Sequence, residues 1–200
     1  MSPIPWKKEK VISIDSGAGF FYLIEMLDEP YVAVFRRFQS TDDWKGILLS
    51  SQDILFIKAV TRQFISKSTA KTVDVAPLRN IPIPELWIGS HHGSRIIKVF
   101  EGTSHERSIM RIEGRPGGRL LKKSKKHSQQ DIVVNPEIPL DDTETIEKYE
   151  LANIDIYPNL NERIILCQRF GRNIDPDKDM KFNKKLPIEY IDYINKIMPA

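Results

Sequence analysis

The sequence predicts an α+β fold, with an antiparallel, β-rich N-terminal portion and a helical C-terminal third. Two observations carry the β part. Phe20 to Leu27 and Tyr31 to Phe38 are aliphatic and aromatic runs, separated only by Asp28-Glu29-Pro30. Such runs around a turn read as a hairpin. The helical part rests on a third observation. Pro158 to Phe170 opens with proline and ends before Gly171, the asymmetry expected of a helix. At 200 residues, with 40% hydrophobic and 28% charged, the chain can bury a core without disulfides.

Taken in order, Val11 to Ile14 is a short β-branched strand preceding the hairpin. Tyr31 to Phe35 is nearly all apolar and so buried on both faces, with Arg36-Arg37 marking emergence into water. Ser50 to Ile65 supports two readings. Ser51 and Asp53 suit a helix start, and Ile54, Ile57, Val60, Phe64 and Ile65 are spaced helically. The β-branched and aromatic content favours a strand instead. Thr72 to Val75 reads as a short strand, and Ile81-Pro82-Ile83-Pro84 as an extended edge segment. Arg95 to Phe100, Ser108 to Ile112 and Ile132 to Val134 complete the strands. Gly114 to Gln130, rich in glycine and lysine, reads as an exposed loop.

In the last third, Asp142, Thr143 and Glu144 begin a short helix through Tyr149. Pro187 to Met198 carries an apolar stripe of Ile188, Ile191, Ile194, Ile197 and Met198. Asn173 to Lys185 between the later helices is polar and irregular. The expected organisation is a β-rich core domain over 1–140, bearing a basic loop at 114–130, with a helical extension over 141–200 packing on it. No internal repeat is visible.

The chemistry-bearing residues form no catalytic or metal-binding motif. Cys167 is the one cysteine and sits in Ile164-Ile165-Leu166-Cys167, so it reads as a small buried hydrophobe. His91, His92, His105 and His127 lack zinc-ligand spacing, and adjacent histidines on a strand point to opposite faces. Ser90 and Ser104 lie near histidines, but G-x-S-x-G is absent. An enzyme would require Ser90, His91, His92, His105 and Glu106 to converge in one pocket. Gly114-Arg115-Pro116-Gly117-Gly118-Arg119 matches neither phosphate-loop pattern. The expectation is a protein without enzymatic activity, metal or cofactor. With no signal-like segment in residues 1–10, no stretch of about 20 apolar residues and a lone thiol, the expected location is the cytoplasm, away from membranes.

Charge is distributed unevenly although its formal sum is only +3. A basic stretch from Arg111 to His127 is followed by an acidic one from Glu137 to Asp155. Asp141, Asp142, Glu144 and Glu147, interleaved with Tyr149 and followed by Tyr157, form a candidate surface for a basic protein partner. The alternative is nucleic-acid association through Arg115, Arg119, Lys122, Lys123, Lys125 and Lys126. That stretch has no aromatic residue on which a base would stack.

One pattern extends beyond single residues. Phe20-Phe21-Tyr22-Leu23-Ile24 and Tyr31-Val32-Ala33-Val34-Phe35 precede Ile54-Leu55-Phe56-Ile57-Lys58-Ala59-Val60. Ile81-Pro82-Ile83-Pro84-Glu85 and an aromatic-aliphatic strand follow. Over residues 10 to 140 this order resembles the immunity protein 26 family of bacterial polymorphic toxin systems. The resemblance implies a cytoplasmic α+β protein that binds and blocks a cognate toxin domain. The chain departs from that family at Ser66 to Lys71, where a Gly-x-Trp element is frequent, and in its helical last third. No functional residue is carried over from the resemblance.

Overall fold

The computed structural model describes residues 4–91, 96–111, 116–124 and 130–198. The fold is α+β, and the chain divides into two interleaved units. Residues 1–83 join 154–174 in the first unit, and residues 84–153 join 175–200 in the second. The C-terminal third therefore contributes helices to both units.

The first unit is built on a six-stranded sheet. Its strands are β1 (Lys10–Asp15), β2 (Phe21–Met26), β3 (Tyr31–Gln39), β4 (Ile54–Val60), β5 (Thr69–Thr72) and β11 (Ile154–Asp155). Their order across the sheet is β11-β4-β3-β2-β1-β5, antiparallel except for the β11–β4 pair. The predicted hairpin is β2–β3, with Glu29-Pro30 at its turn. The ambiguous segment 50–65 resolves into successive pieces. A 3-10 turn over Ser51–Asp53 leads into β4, then Thr61 caps helix α1 (Arg62–Lys67) by accepting from the Phe64 N–H. Apolar spacing alone could not divide these pieces, because each is shorter than two full turns. The strand expected at 72–75 lies earlier, over Thr69–Thr72, and Val73 adds one further backbone bond to Val11.

Register places Ile12, Ile24, Val34 and Phe56 in one row across β1 to β4. All four are buried, and burying each such side chain stabilises by about 1.5–3 kcal/mol. Helix α3 (Asn159–Phe170) belongs to this unit and ends, as predicted, at Gly171 in the left-handed conformation. Its polar side chains reach the sheet. The Arg163 guanidinium lies 3.9 Å from the centre of the Phe56 ring, while its Nε donates to the Ile174 carbonyl at 2.8 Å. Asn161 accepts from the Tyr22 hydroxyl at 3.0 Å and donates to the Ser16 carbonyl at 2.9 Å. Burial, followed by the nearby Tyr157, Glu162 and Asp15, raises the Tyr22 hydroxyl well above its usual value. Tyr22 therefore remains a neutral donor.

The neighbouring row, Val11, Glu25, Ala33 and Ile57, lies on the opposite face. Glu25 is fully buried there. One carboxyl oxygen accepts from the Leu78 N–H at 2.8 Å, and the other has no hydrogen-bond partner among the described residues. Burial raises this carboxyl above its usual value. The Leu78 and Arg79 backbone donors oppose the rise, and Glu9 adds to it.

The second unit holds a three-stranded sheet in the order β10-β9-β6. Its members are β6 (Leu86–Ser90), β9 (Gly118–Lys122) and β10 (Ile132–Ile138). A separate hairpin pairs β7 (Ile96–Val99) with β8 (Arg107–Arg111). Helices α2 (Thr143–Lys148), α4 (Pro176–Lys181) and α5 (Ile191–Ile197) complete it. Two expectations are corrected here. The segment 114–130 is not simply a loop, because residues 118–122 form the central strand. The segment 173–185 is not irregular throughout, because it contains α4. The signal for α4 was present in the sequence: Asp175 accepts from the Lys178 N–H at 3.0 Å, and Pro176 occupies the first turn.

β9 is legible only in three dimensions. A Cβ on Gly118 would fall 2.5 Å from the Gly89 carbonyl oxygen and 2.7 Å from the Phe182 ring. On Gly117, at φ +93°, it would fall 2.5 Å from the Ile138 carbonyl oxygen. The glycines that suggested a solvated turn are therefore close-approach positions.

Gly118→Ala should lower the stability of the fold by about 1–3 kcal/mol, read as a shifted midpoint of urea unfolding at unchanged slope. A second prediction concerns Glu25. Its raised native value means the folded state holds this proton more tightly than the unfolded chain. Its contribution is full at low pH and disappears as pH rises through the folded-state value. Glu25→Gln, which mimics the protonated form, should raise the midpoint at mildly alkaline pH and flatten the dependence above the usual carboxylate range. A variant less stable than the parent at mildly alkaline pH would contradict this.

Candidate functional site

The acidic stretch is organised by α2, which lies in the second unit. Asp142 caps it, accepting from the Thr145 N–H at 3.1 Å. Ile146 is the buried residue of the helix and packs in a cluster with Ile88, Ile138, Leu151 and Phe182. Leu120, Leu140 and Tyr149 pack against that cluster. With Ile146 directed inward, Glu144, Glu147 and Lys148 are left in solvent, along with Asp141 ahead of the cap.

The chain beyond α2 is held to β6 by two backbone bonds. Ile88 N–H donates to Glu150 at 2.9 Å, and Ala152 N–H donates to Ile88 at 2.7 Å. Tyr149 is thus half-buried on a secured backbone. Its carbonyl accepts from Lys178 Nζ at 3.1 Å, and the Lys148 amine lies 5.4 Å from its ring centre. Glu147 is not an isolated charge, because Lys184 pairs with it at 2.9 Å. Asp141 and Glu144 have no ion-pair partner among the described residues.

Of the six predicted partner-facing residues, Asp141, Asp142, Glu144, Glu147 and Tyr149 come together on α2 and its flanks. Tyr157 belongs to the first unit, in the segment between β11 and α3. Lys178 and Lys184, which support this surface from the polar stretch 173–185, were missed by sequence reasoning. Their spacing from Tyr149 and Glu147 exceeds that of any local pattern.

The basic stretch has a different character. Arg115, Lys125 and Lys126 lie outside the described residues. Arg119, Lys122 and Lys123 lie on or directly after β9, and Arg119 is half-buried. Lys122 pairs with Glu85 at 2.9 Å, and Lys123 with Asp131 at 2.8 Å. These lysines tie β9 to the segments beside it.

The other candidates lie apart in chain position and setting. Ser90 ends β6, and the half-buried His91 beyond it stands 3.6 Å from Glu137. His92 and His127 lie outside the described residues. Ser104, His105 and Glu106 lie on the exposed loop between β7 and β8. Among the described residues no group of three or more His, Cys, Asp and Glu side chains is arranged to hold a metal ion. Cys167 is buried in the first unit, where the Ile174 N–H donates to its sulfur at 3.2 Å. Among the described residues no helix is long and apolar enough to cross a membrane.

Residues 1–186 match a protein family described as Domain of unknown function (DUF8309), and the chain belongs to that family. Comparison with curated proteins and with solved structures returns no match.

The two acidic roles on α2 are separable. Asp142→Ala should cost about 1 kcal/mol through loss of the cap. Glu144→Ala should change stability by no more than about 0.5 kcal/mol. Thermal or urea unfolding of the two variants side by side checks the assignment.

Proposed function

We propose that this member of the DUF8309 family is a non-enzymatic, protein-binding protein that neutralises a cognate bacterial toxin in the cytoplasm. The observation that carries this reading is the α2 surface. Asp141 and Glu144 stand in solvent at the start of α2 with no ion-pair partner among the described residues, and Tyr149 at its end is anchored by the Ile146 cluster and by Lys178. Exposed carboxylates accelerate encounter with a basic surface. A partly buried tyrosine supplies apolar area and a polar tip at little entropic cost. The resemblance of residues 10–140 to the immunity protein 26 family supplies the partner class, a toxin domain. The carboxylate partners of Lys122 and Lys123 favour this reading over nucleic-acid binding, because those cations are already engaged.

The test starts from tagged protein captured from nuclease-treated lysate of its native cell, with the retained protein identified by mass spectrometry. The parent chain should hold one stoichiometric basic protein and suppress that protein's toxicity when the two are co-expressed. An Asp141→Lys, Glu144→Lys double variant should fold normally and associate about tenfold more slowly at low salt, with the gap narrowing as salt rises. No retained protein partner with nucleic acid held instead in a parallel capture from untreated lysate, or a charge-reversed variant that binds and protects like the parent, would overturn the proposal.

A further inference from the structure

The loop between β7 and β8 forms, with α5, a groove that the reading above does not use. It has a volume of about 260 Å³ and is lined by Phe100, Ser104, His105, Glu106, Arg107, Ile191 and Asn195. All of these residues belong to the second unit.

Its wall is strained. Phe100 is buried yet adopts φ +56°, a conformation costly for a bulky side chain. Thr103 holds it there, since both the Thr103 N–H and its hydroxyl donate to the Phe100 carbonyl, at 3.1 and 2.7 Å. The loop's own carboxylate is occupied. Glu106 accepts from the Gly102 N–H at 2.8 Å and lies 3.5 Å from the Lys98 amine. The Gly102 donor first, then the Lys98 charge, lower its carboxyl below the usual range. Glu106 is therefore ionised and already matched by Lys98.

Arg107 is the opposite case. Its Nη2 donates to Asn195 Oδ1 at 2.9 Å and to the Met198 carbonyl at 3.2 Å, both neutral acceptors. Its Nη1 and Nε have no acceptor among the described residues, and no carboxylate among them pairs with it. The guanidinium is thus positioned by two bonds from one nitrogen, with its charge left for something else. Phe100 and Ile191 supply apolar surface beside it, and Ser104 and His105 supply further polar atoms.

We propose that this groove binds a carboxylate carrying a short apolar group, with Arg107 as the charge-bearing donor and Asn195 as the residue that positions it. Such a carboxylate occurs on a small organic acid and at the C-terminus of a peptide. A charge-assisted bond to a positioned guanidinium, beside apolar wall, selects that chemistry over a neutral amide.

The test is a titration of the full chain followed by amide chemical shifts. Propionate should give saturable shifts confined to residues 100–107 and 191–195, whereas propionamide and chloride at equal ionic strength should not. Arg107→Gln should weaken propionate binding by about tenfold or more while leaving the dispersed spectrum intact. If that variant loses its fold, Arg107→Lys decides: it keeps the charge but not the planar donor set, and should bind propionate more weakly than the parent. A short peptide with a free C-terminus, set against its amidated form, separates the two sources. Tighter binding of the free peptide than of propionate marks a peptide terminus, and the reverse marks a small acid. Equal shifts with propionamide, or shifts spread over the surface without saturation, would overturn the proposal.

Discussion

The absence of a side chain at Gly118 is the constraint on which the second unit depends. Only a glycine lets β9 approach the Gly89 carbonyl and the Phe182 ring together. That approach brings Phe182, at the end of α4, into the cluster formed by Ile88, Ile138, Ile146 and Leu151. The cluster in turn seats α2 and directs its carboxylates outward. One close contact thereby connects a stretch that reads as loop to the surface that carries the proposed function. Densely packed interiors transmit changes of a single methyl group, so the dependence is steep.

The first unit solves a different problem. Its sheet buries polar side chains on both faces, and each is accommodated in its own way. Asn161 exchanges hydrogen bonds with Tyr22 and Ser16, so its amide is matched at both ends. Arg163 lays its cation on Phe56 and donates to the Ile174 carbonyl, combining charge-quadrupole attraction with a backbone acceptor. Glu25 is less well matched, with one oxygen bonded and the other without a partner among the described residues. Burial therefore favours its neutral form. Elsewhere in the unit Asp42 shows the converse. Burial pushes it up, but hydrogen bonds from Lys71, Ser13 and Trp44 outweigh that and hold it below the usual carboxylate range.

Ion pairs divide the charged residues of the second unit into two classes. Lys122, Lys123 and Lys184 are engaged by Glu85, Asp131 and Glu147, which uses their charge to hold neighbouring segments together. Exposed pairs of this kind add little stability individually. Asp141, Glu144 and Arg107 retain charge that no described residue matches. The acidic pair faces open solvent at the start of α2, a setting suited to steering a large partner. Arg107 lies in a groove, a setting suited to a small anionic group.

The sequence by itself determined the α+β class, the β2–β3 hairpin, the presence of β1 and the extent of α3 to its glycine end. These follow from local physics: apolar runs flanking a proline turn, β-branched residues, and a helix opened by proline and closed by glycine. It also located the acidic and tyrosine residues of α2, since composition is local information. Tertiary structure alone decided that residues 118–122 form a central strand, because Gly118 is recognisable only beside Gly89 and Phe182. It also decided the interleaving of the units, the pairing of Lys184 with Glu147, and the meeting of Arg107 with Asn195. Each of these joins residues far apart in the chain. Periodicity reports which face of an element is apolar, but not which distant residue meets it. That is settled by packing, where shape, charge and the space left by a missing side chain act together.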